Sequence, residues 1–424
     1  MELPEGLAAD VVQWRRHLHR HPELSFAEHE TAEFVAATLT GFGLDVERPT
    51  EASVVARLAT GRPGPAVALR ADTDALPIHE ESGVEFASEH PGAMHACGHD
   101  GHTAMLLGAA RMLADARDDL PGGELRFIFQ HAEEVAPGGA RELVAAGVLD
   151  GVALIYGCHL WATLPVGKVA VRSGPFLAAA DFFHLTVTGR GGHAGVPHRA
   201  TDTIAIAAQV VTNLQHVVAR RTDPLHSAVL TIGSFHAGDA PNVIPGRAEL
   251  AGTVRTFDPE LRERMPRLIE EIAGGVARAH GAECALAYQL GYRAVVNDPA
   301  VAGLVREVAA RVAGADALAE MAPIMGGDDF SAYQAEVPGC YAFVGAGSEE
   351  SGATYAHHHP RFRIDERALA TGVRLQRRGR PARTGGARLR RTQPEAAPPA
   401  TSGARRSCGH LRLRRAERAP GVAQ

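Results

Sequence analysis

HACGHDGHTAMLLGAARMLADA, residues 95–116, joins a loop dense in ligand chemistry to a helix with one apolar face. Three histidines, a cysteine and an aspartate fall within 95–102. Cys97 and His99 are two apart, so on an extended or looped backbone both side chains can point to one side, and a thiolate with an imidazole suits a divalent ion such as zinc. Asp100, next to them, can orient an imidazole or bridge two ions. The plainer reading is a loop of solvated histidines with a stray thiol. The partners that decide between the two readings lie elsewhere in the chain.

Upstream, SVVARL (53–58) and AVALRADTDALP (66–77) read as strands, the second ending in Asp72 and Asp74. Such carboxylates either line the crevice at the carboxyl ends of a parallel sheet or simply form turns. Downstream, ELRFIFQHAEE (124–134) reads as a buried strand that ends in Glu133 and Glu134. Neighbours in an extended segment point oppositely, which suits one carboxylate for a metal and the other for a proton; the alternative is a solvated turn. A helix at 138–147 and the strand GVALIYGCHLW (151–161) follow, with His159 at the strand's end and Cys158 beside it as packing. Cys97, His99, Glu134 and His159 therefore all stand at or just after the end of an apolar strand. The alternation of strands and helices indicates an α/β fold, a mostly parallel sheet with helices on both faces.

The pattern changes between 180 and 293. The order there is FFHLTVTG, a helix at 202–221, AVLTIGSF, AELAGTVRTF, a helix at 259–280 and CALAYQLGY, which is the β-α-β-β-α-β sequence of a ferredoxin-like α+β sandwich. This predicts two domains: a catalytic domain from 1–179 and 294–376, and an inserted one at 180–293. The insert's loops carry His193, His198 and Asn242, and its strand GTVRTF carries Arg255, either an exposed edge residue or a fork that grips a substrate carboxylate. Beyond 294 come a helix at 299–314, Asp328 and Asp329 at an expected helix N-terminus, the strand CYAFVGAG, and the histidines 357, 358 and 359. Near the start, helices at 6–20 and 27–42 flank histidines 17, 19 and 21. Arginine-flanked histidines at a helix end read as solvated or locally bonded rather than as ligands.

Five scattered cysteines argue against a disulfide framework and for a reducing compartment. No apolar run matches a signal peptide or a bilayer span, so a cytoplasmic protein is expected. The net charge of −6 is unevenly placed: residues 377–424 hold thirteen arginines against Glu395 and Glu417, so the preceding body is acidic. Lys168 is the single lysine, which fits a GC-rich coding sequence. From 377 the helical apolar pattern of DERALATGVRL fails. The stretch 377–424 reads either as a basic, disordered arm for nucleic acid or acidic partners, or as the product of a shifted reading frame, and a helix interrupted mid-pattern favours the second.

Ten motifs in order carry a resemblance: RRHLHRHPELSF, ALRADTDALP, HACGHDGHTAMLLG, FIFQHAEEVAPGGA, GCHLW, GGHAGVPH, PNVIPG, GTVRTF, GGDDF and HHPRF. From about 14 to 375 the chain resembles the M20 peptidase family, in its branch of hippurate hydrolases, N-acyl-amino-acid amidohydrolases and hydrolases of indoleacetic acid conjugates. The resemblance implies a pair of divalent metals held by Cys97, His99, Glu134, His159 and a histidine of the last cluster. The family's ligand two before the proline selects His358, with His357 the alternative. It further implies Glu133 as general base, His193 as an oxyanion donor reaching into a partner subunit's site, and Asn242 with Arg255 as the grip on a substrate carboxylate. The 180–293 insert would then be a lid through which a homodimer forms. The metals would be zinc or manganese, with cobalt or nickel also compatible. The family's usual Gly-Gly-Glu-Asp-Phe has Asp328 in place of its glutamate.

The implied reaction is hydrolysis of an N-acyl or N-aroyl amino acid, a small anionic substrate for which an acidic protein needs the local cation Arg255. Neither membrane nor nucleic acid is expected as a partner unless the basic tail is genuine. A dipeptidase, a carboxypeptidase or a diaminopimelate-pathway deacetylase shares the architecture, but Cys97 with His99 in HACGHD favours the amidohydrolase branch. A non-catalytic metal-binding protein on this fold is the remaining alternative, and it would not need the spare carboxylate Glu133.

Overall fold

The computed structural model describes residues 3–378. Eight strands form one sheet in the order Asp45–Glu47, Val54–Ala59, Glu124–Gln130, Ala66–Asp72, Val152–Pro165, Gly339–Gly347, Val169–Ala170 and Leu318–Ala319. The four strands from Glu124–Gln130 to Gly339–Gly347 are mutually parallel. Antiparallel pairs flank them on both sides. This is the mostly parallel α/β sheet that the sequence predicts.

Side chains alternate across the sheet, as the strand period requires. Val67, Leu69 and Ala71 share a core with Val11, Val35, Leu107 and Val373, which come from the helices Glu5–Arg20, His29–Gly41, His99–Asp115 and Arg367–Arg378. Ala68, between them in sequence, joins Ile128, Ile155 and Leu143 on the other face. Each fully buried leucine or phenylalanine in these layers contributes about 1.5–3 kcal/mol.

A second sheet has four strands, Ala179–Thr188, Ala228–His236, Arg247–Thr256 and Glu283–Tyr292, all antiparallel. Their spatial order is second, third, first, fourth, which is the ferredoxin-like arrangement. Helices Thr203–Arg221 and Pro259–Ala279 cover it, so that Phe183, Leu185 and Val187 pack with Ile206, Val210, Met265 and Leu268. Aspartates start both helices: Asp202 accepts from the Ile204 and Ala205 N–H groups, and Asp258 from that of Leu261.

Several boundaries differ from the sequence reading. The helix that follows the ligand-rich loop begins within it, at His99, because Gly98 at φ 93° turns the chain in the left-handed region that glycine enters cheaply. The strand expected to reach Glu134 ends at Gln130. Asp328 and Asp329 precede a single helical turn, Ser331–Gln334. The final helix runs to Arg378, just past the point where the apolar pattern fails, and 379–424 lie outside the described residues, as does the arm or frameshift reading. Among the described residues no helix is long and apolar enough to cross a membrane.

Candidate metal centre

Loops leaving the central parallel strands, the first turn of the helix His99–Asp115 and the strand Val152–Pro165, which runs on past His159 instead of ending there, bring the predicted ligands together. Cys97 Sγ lies 3.4 Å from His159 Nε2. His99 presents Nδ1 to the Asp74 carbonyl at 2.9 Å and to Asp74 Oδ1 at 3.1 Å. With the proton held on Nδ1, Nε2 carries the lone pair, and that buried nitrogen has no hydrogen-bond partner among the described residues. His159 is oriented the same way, its Nδ1 donating to the Leu160 carbonyl at 2.7 Å. His358 Nε2 lies 3.2 Å from Glu134 Oε1.

Three overlapping groups have all their ligand atoms within 4.8 Å of one another: Cys97–His99–His159, Cys97–Glu134–His358 and His99–Glu133–Glu134. His357 is otherwise engaged. Its Nε2 accepts from the Ala162 N–H at 3.1 Å and its ring packs on Trp161 at 4.6 Å. Of the two histidines left open by the sequence, His358 is the one that faces the cluster.

The electrostatics call for a cation. Burial pushes the Cys97 thiol well up, and the carboxylates of Glu134, Glu133 and Asp72 push it further. Burial likewise raises Glu133 far above the usual carboxyl range, reinforced by Asp328 and Glu134. Burial disfavours charge on His99, yet Asp72, Asp74 and Glu134 outweigh it and raise that imidazole to about 10. His159 is held neutral, first by burial and then by His102 and His357. A thiol, imidazoles and clustered carboxylates form a donor set suited to divalent ions, and the raised proton affinities of Cys97, Glu133 and His99 show the positive charge that the clustered carboxylates draw in.

Glu133 and Glu134 do not point oppositely as strand alternation would have them, since an oxygen of each lies within 4.8 Å of the other and of a His99 ring nitrogen. They sit in a turn in which Ala132 takes φ 50°, a region costly for residues other than glycine. Glu134 joins Cys97 and His358, while Glu133 also neighbours Asp328 and Asp329. Arg70 lies under that pair, 2.5 Å from Asp72 Oδ2, 2.8 Å from Asp329 Oδ1 and 3.4 Å from Asp328 Oδ1. A lone arginine in the apolar strand AVALRAD was the available signal for this buried cation.

Two expectations near the loop are corrected. Asp100 turns away from the ligands: its Oδ2 receives Arg15 Nε at 2.8 Å and His19 Nδ1 at 2.9 Å. His19 is neither solvated nor locally bonded, being 1 % exposed and spanning from Asp100 to Glu80 at 3.0 Å. The orienting carboxylate is Asp74 instead, which also accepts from Ser25 Oγ at 2.6 Å. His102, in the first turn of the helix, bonds Asp72 at 2.5 Å through Nδ1 and accepts from the Leu160 N–H through Nε2.

The residues read from the 180–293 insert lie apart from this cluster. His193 and Asn242 are exposed, joined by the Ala194 N–H to Asn242 carbonyl bond and the pairing of His193 with Val243. Arg255 is half-buried against Phe182, and a Cβ built at Gly327 would lie 3.6 Å from its Nη1, so it borders the loop that carries Asp328. No hydrogen bond or ion pair engages its guanidinium among the described residues.

The profile of peptidase family M20/M25/M40 matches residues 68–378. The chain belongs to that family. Among M20 relatives, it is 55 % identical to an N-acyl-L-amino acid amidohydrolase of Geobacillus stearothermophilus over 70 % of this chain and 80 % of the other. It is 42 % identical to an N-acetylcysteine deacetylase of Bacillus subtilis over 85 % of this chain and 93 % of the other. The crystal structure of a dinuclear metal-binding M20 peptidase from Bacillus subtilis superimposes with a TM-score of 0.77 at 36 % identity, covering 89 % of this chain and 98 % of that one.

Proposed function

We propose that this protein hydrolyses the amide bond of N-acyl or N-aroyl amino acids, consuming one water and releasing a carboxylic acid and a free amino acid. The carrying observation is the cluster of overlapping ligand groups with the buried carboxyl of Glu133 beside it. The sequence relatives named for N-acyl-L-amino acid and N-acetylcysteine hydrolysis support the same reading.

Cys97, His99, Glu134, His159 and His358 would hold two divalent ions, and the unpartnered Nε2 of His99 fits that role. Zinc suits the thiolate and imidazoles, while the carboxylates also admit manganese, cobalt or nickel. When bound, such ions polarise a carbonyl and lower the pKa of water. Glu133 takes the proton from the attacking water and returns it to the leaving nitrogen as the C–N bond breaks, a role that its displaced proton affinity suits. Arg255 and Asn242 grip the substrate carboxylate. Arg255's unengaged guanidinium beside the Asp328 loop supports this.

The exposure of His193 supports its service as an oxyanion donor in a partner subunit, with 180–293 as the lid and dimer-forming domain. The protein acts in the cytoplasm, where its described cysteines, all free, stay reduced. The test is hydrolysis of N-acetyl and N-benzoyl amino acids by metal-loaded protein and by its Glu133→Ala form. A loss of about 10³-fold in kcat is expected. Equal rates would remove Glu133 as base, and a wild type inert with every metal would remove the activity. Arg255→Ala raises KM for N-benzoylglycine if the grip is right and leaves it unaltered if Arg255 is only structural.

A further inference from the structure

The turn that bears Glu133 is held at three consecutive residues by side chains from three distant parts of the chain. Glu28, fully buried, accepts from the Ala132 N–H at 2.6 Å. Asp74 Oδ2 accepts from the Glu134 N–H at 2.9 Å. Between them, the Tyr292 hydroxyl donates to the carbonyl of Glu133 at 2.6 Å. A turn with Ala132 in the left-handed region does not keep its shape by local preference, so these outside contacts set it.

The third contact differs in origin from the other two. Glu28 and Asp74 belong to the part of the chain built around the large sheet. Tyr292 is the last residue of Glu283–Tyr292, an outer strand of the four-stranded antiparallel sheet. Its neighbour Gly291 is where that sheet is tied down: Arg141 reaches the Gly291 carbonyl at 2.8 Å, Arg262 reaches it at 3.1 Å, and Asp181 accepts from the Gly291 N–H at 2.9 Å. The same sheet carries Arg255 on an inner strand. The tyrosine thus joins the sheet that faces the substrate to the backbone of the base.

We infer that Tyr292 is a positioning residue that couples the placement of the antiparallel sheet to the aim of the Glu133 carboxyl. The inference rests on Glu133 being the base. A shift of the sheet moves the hydroxyl, the hydroxyl moves the Glu133 carbonyl, and the carboxyl moves with its own backbone. Small displacements of a reacting group are costly in rate, which gives this single bond leverage over turnover.

Tyr292→Phe removes the donor and keeps the ring. In metal-loaded full-length protein it lowers kcat for N-benzoylglycine between about 10-fold and about 100-fold, with KM within about twofold and with metal content and melting temperature held. Thr212→Val, on the helix Thr203–Arg221 that covers the same sheet, removes a hydroxyl that donates to the Ala208 carbonyl at 3.1 Å outside the Asp181 and Gly291 contacts, and it keeps kcat. An unchanged kcat in Tyr292→Phe, an equal fall in Thr212→Val, or a fall matched by loss of metal overturns the coupling. Glu133→Ala assayed alongside separates the two readings. Full activity there withdraws the base and the coupling together, whereas an inactive Glu133→Ala with an intact Tyr292→Phe withdraws the coupling alone.

Discussion

His99 and Asp100 are adjacent in the first turn of one helix, yet they face two different buried polar clusters. On the Asp100 side, Arg15 and His19 bring positive charge to the carboxylate and Glu80 completes the chain of contacts. Burial opposes charge on Asp100, but the Arg15 guanidinium and the His19 bond overcome it and hold the carboxyl well below its ordinary range. On the His99 side, Arg70 pairs with Asp72, Asp328 and Asp329, but among the described residues no arginine or lysine pairs with Glu133 or Glu134, and the His99 Nε2 nitrogen has no hydrogen-bond partner. Asp100 is bonded directly to its counterions, whereas the predicted ligands are left with the His99 imidazole and whatever cation enters from outside. The difference separates a structural site from a functional one better than burial, which is nearly complete for His99 and Asp100 alike.

Substitutions at the two neighbours break the comparison if it is wrong. His99→Ala should abolish hydrolysis and remove bound metal while leaving the unfolding free energy of the metal-free protein close to wild type, as measured by activity, metal analysis and urea titration. Asp100→Ala should do the reverse. It leaves Arg15 with Glu366 and His19 with Glu80 as their remaining partners, costs about 1–3 kcal/mol of stability, and leaves the metal content of the folded fraction unchanged.

Asp74→Asn sharpens the comparison on the open side, because it weakens the group that orients His99. Metal affinity should fall about 10–100-fold by competition with a chelator, with the fold intact. The acid limb of stability reports the closed side. Asp100's folded pKa is depressed, so its stabilisation is complete above its unfolded value of about 3.9 and drains away as pH falls toward the folded one. Unfolding of the metal-free protein should therefore grow easier below about pH 4, and Asp100→Asn should flatten that dependence.

The strand end at Asp72 was legible from the chain because an apolar run stops there and chemistry-bearing residues follow, whereas the strand before Glu133 stops sooner, at Gln130, and the strand that carries His159 runs on to Pro165. The choice between His357 and His358 was not legible, since it turns on which ring Ala162 and Trp161 occupy. Asp100 was misread for a related reason. Its partners Arg15 and His19 are 85 and 81 residues away, and a neighbour in sequence to a ligand looks like a neighbour in space. The same distance hid Glu28, Ser25 and Tyr292, whose bonds to the site form only once the sheets are assembled. Glu133 and Glu134 were expected to point oppositely along a strand, but the strand ends at Gln130 and both carboxylates reach within 4.8 Å of His99.

The most direct test of an open, cation-requiring centre is the metal content of purified, dialysed protein, read by elemental analysis together with anomalous diffraction. The account predicts two divalent ions per chain, both bounded by Cys97, His99, Glu134, His159 and His358. A protein that hydrolyses N-acyl amino acids without bound metal, or that holds its ions away from these five residues, would contradict it.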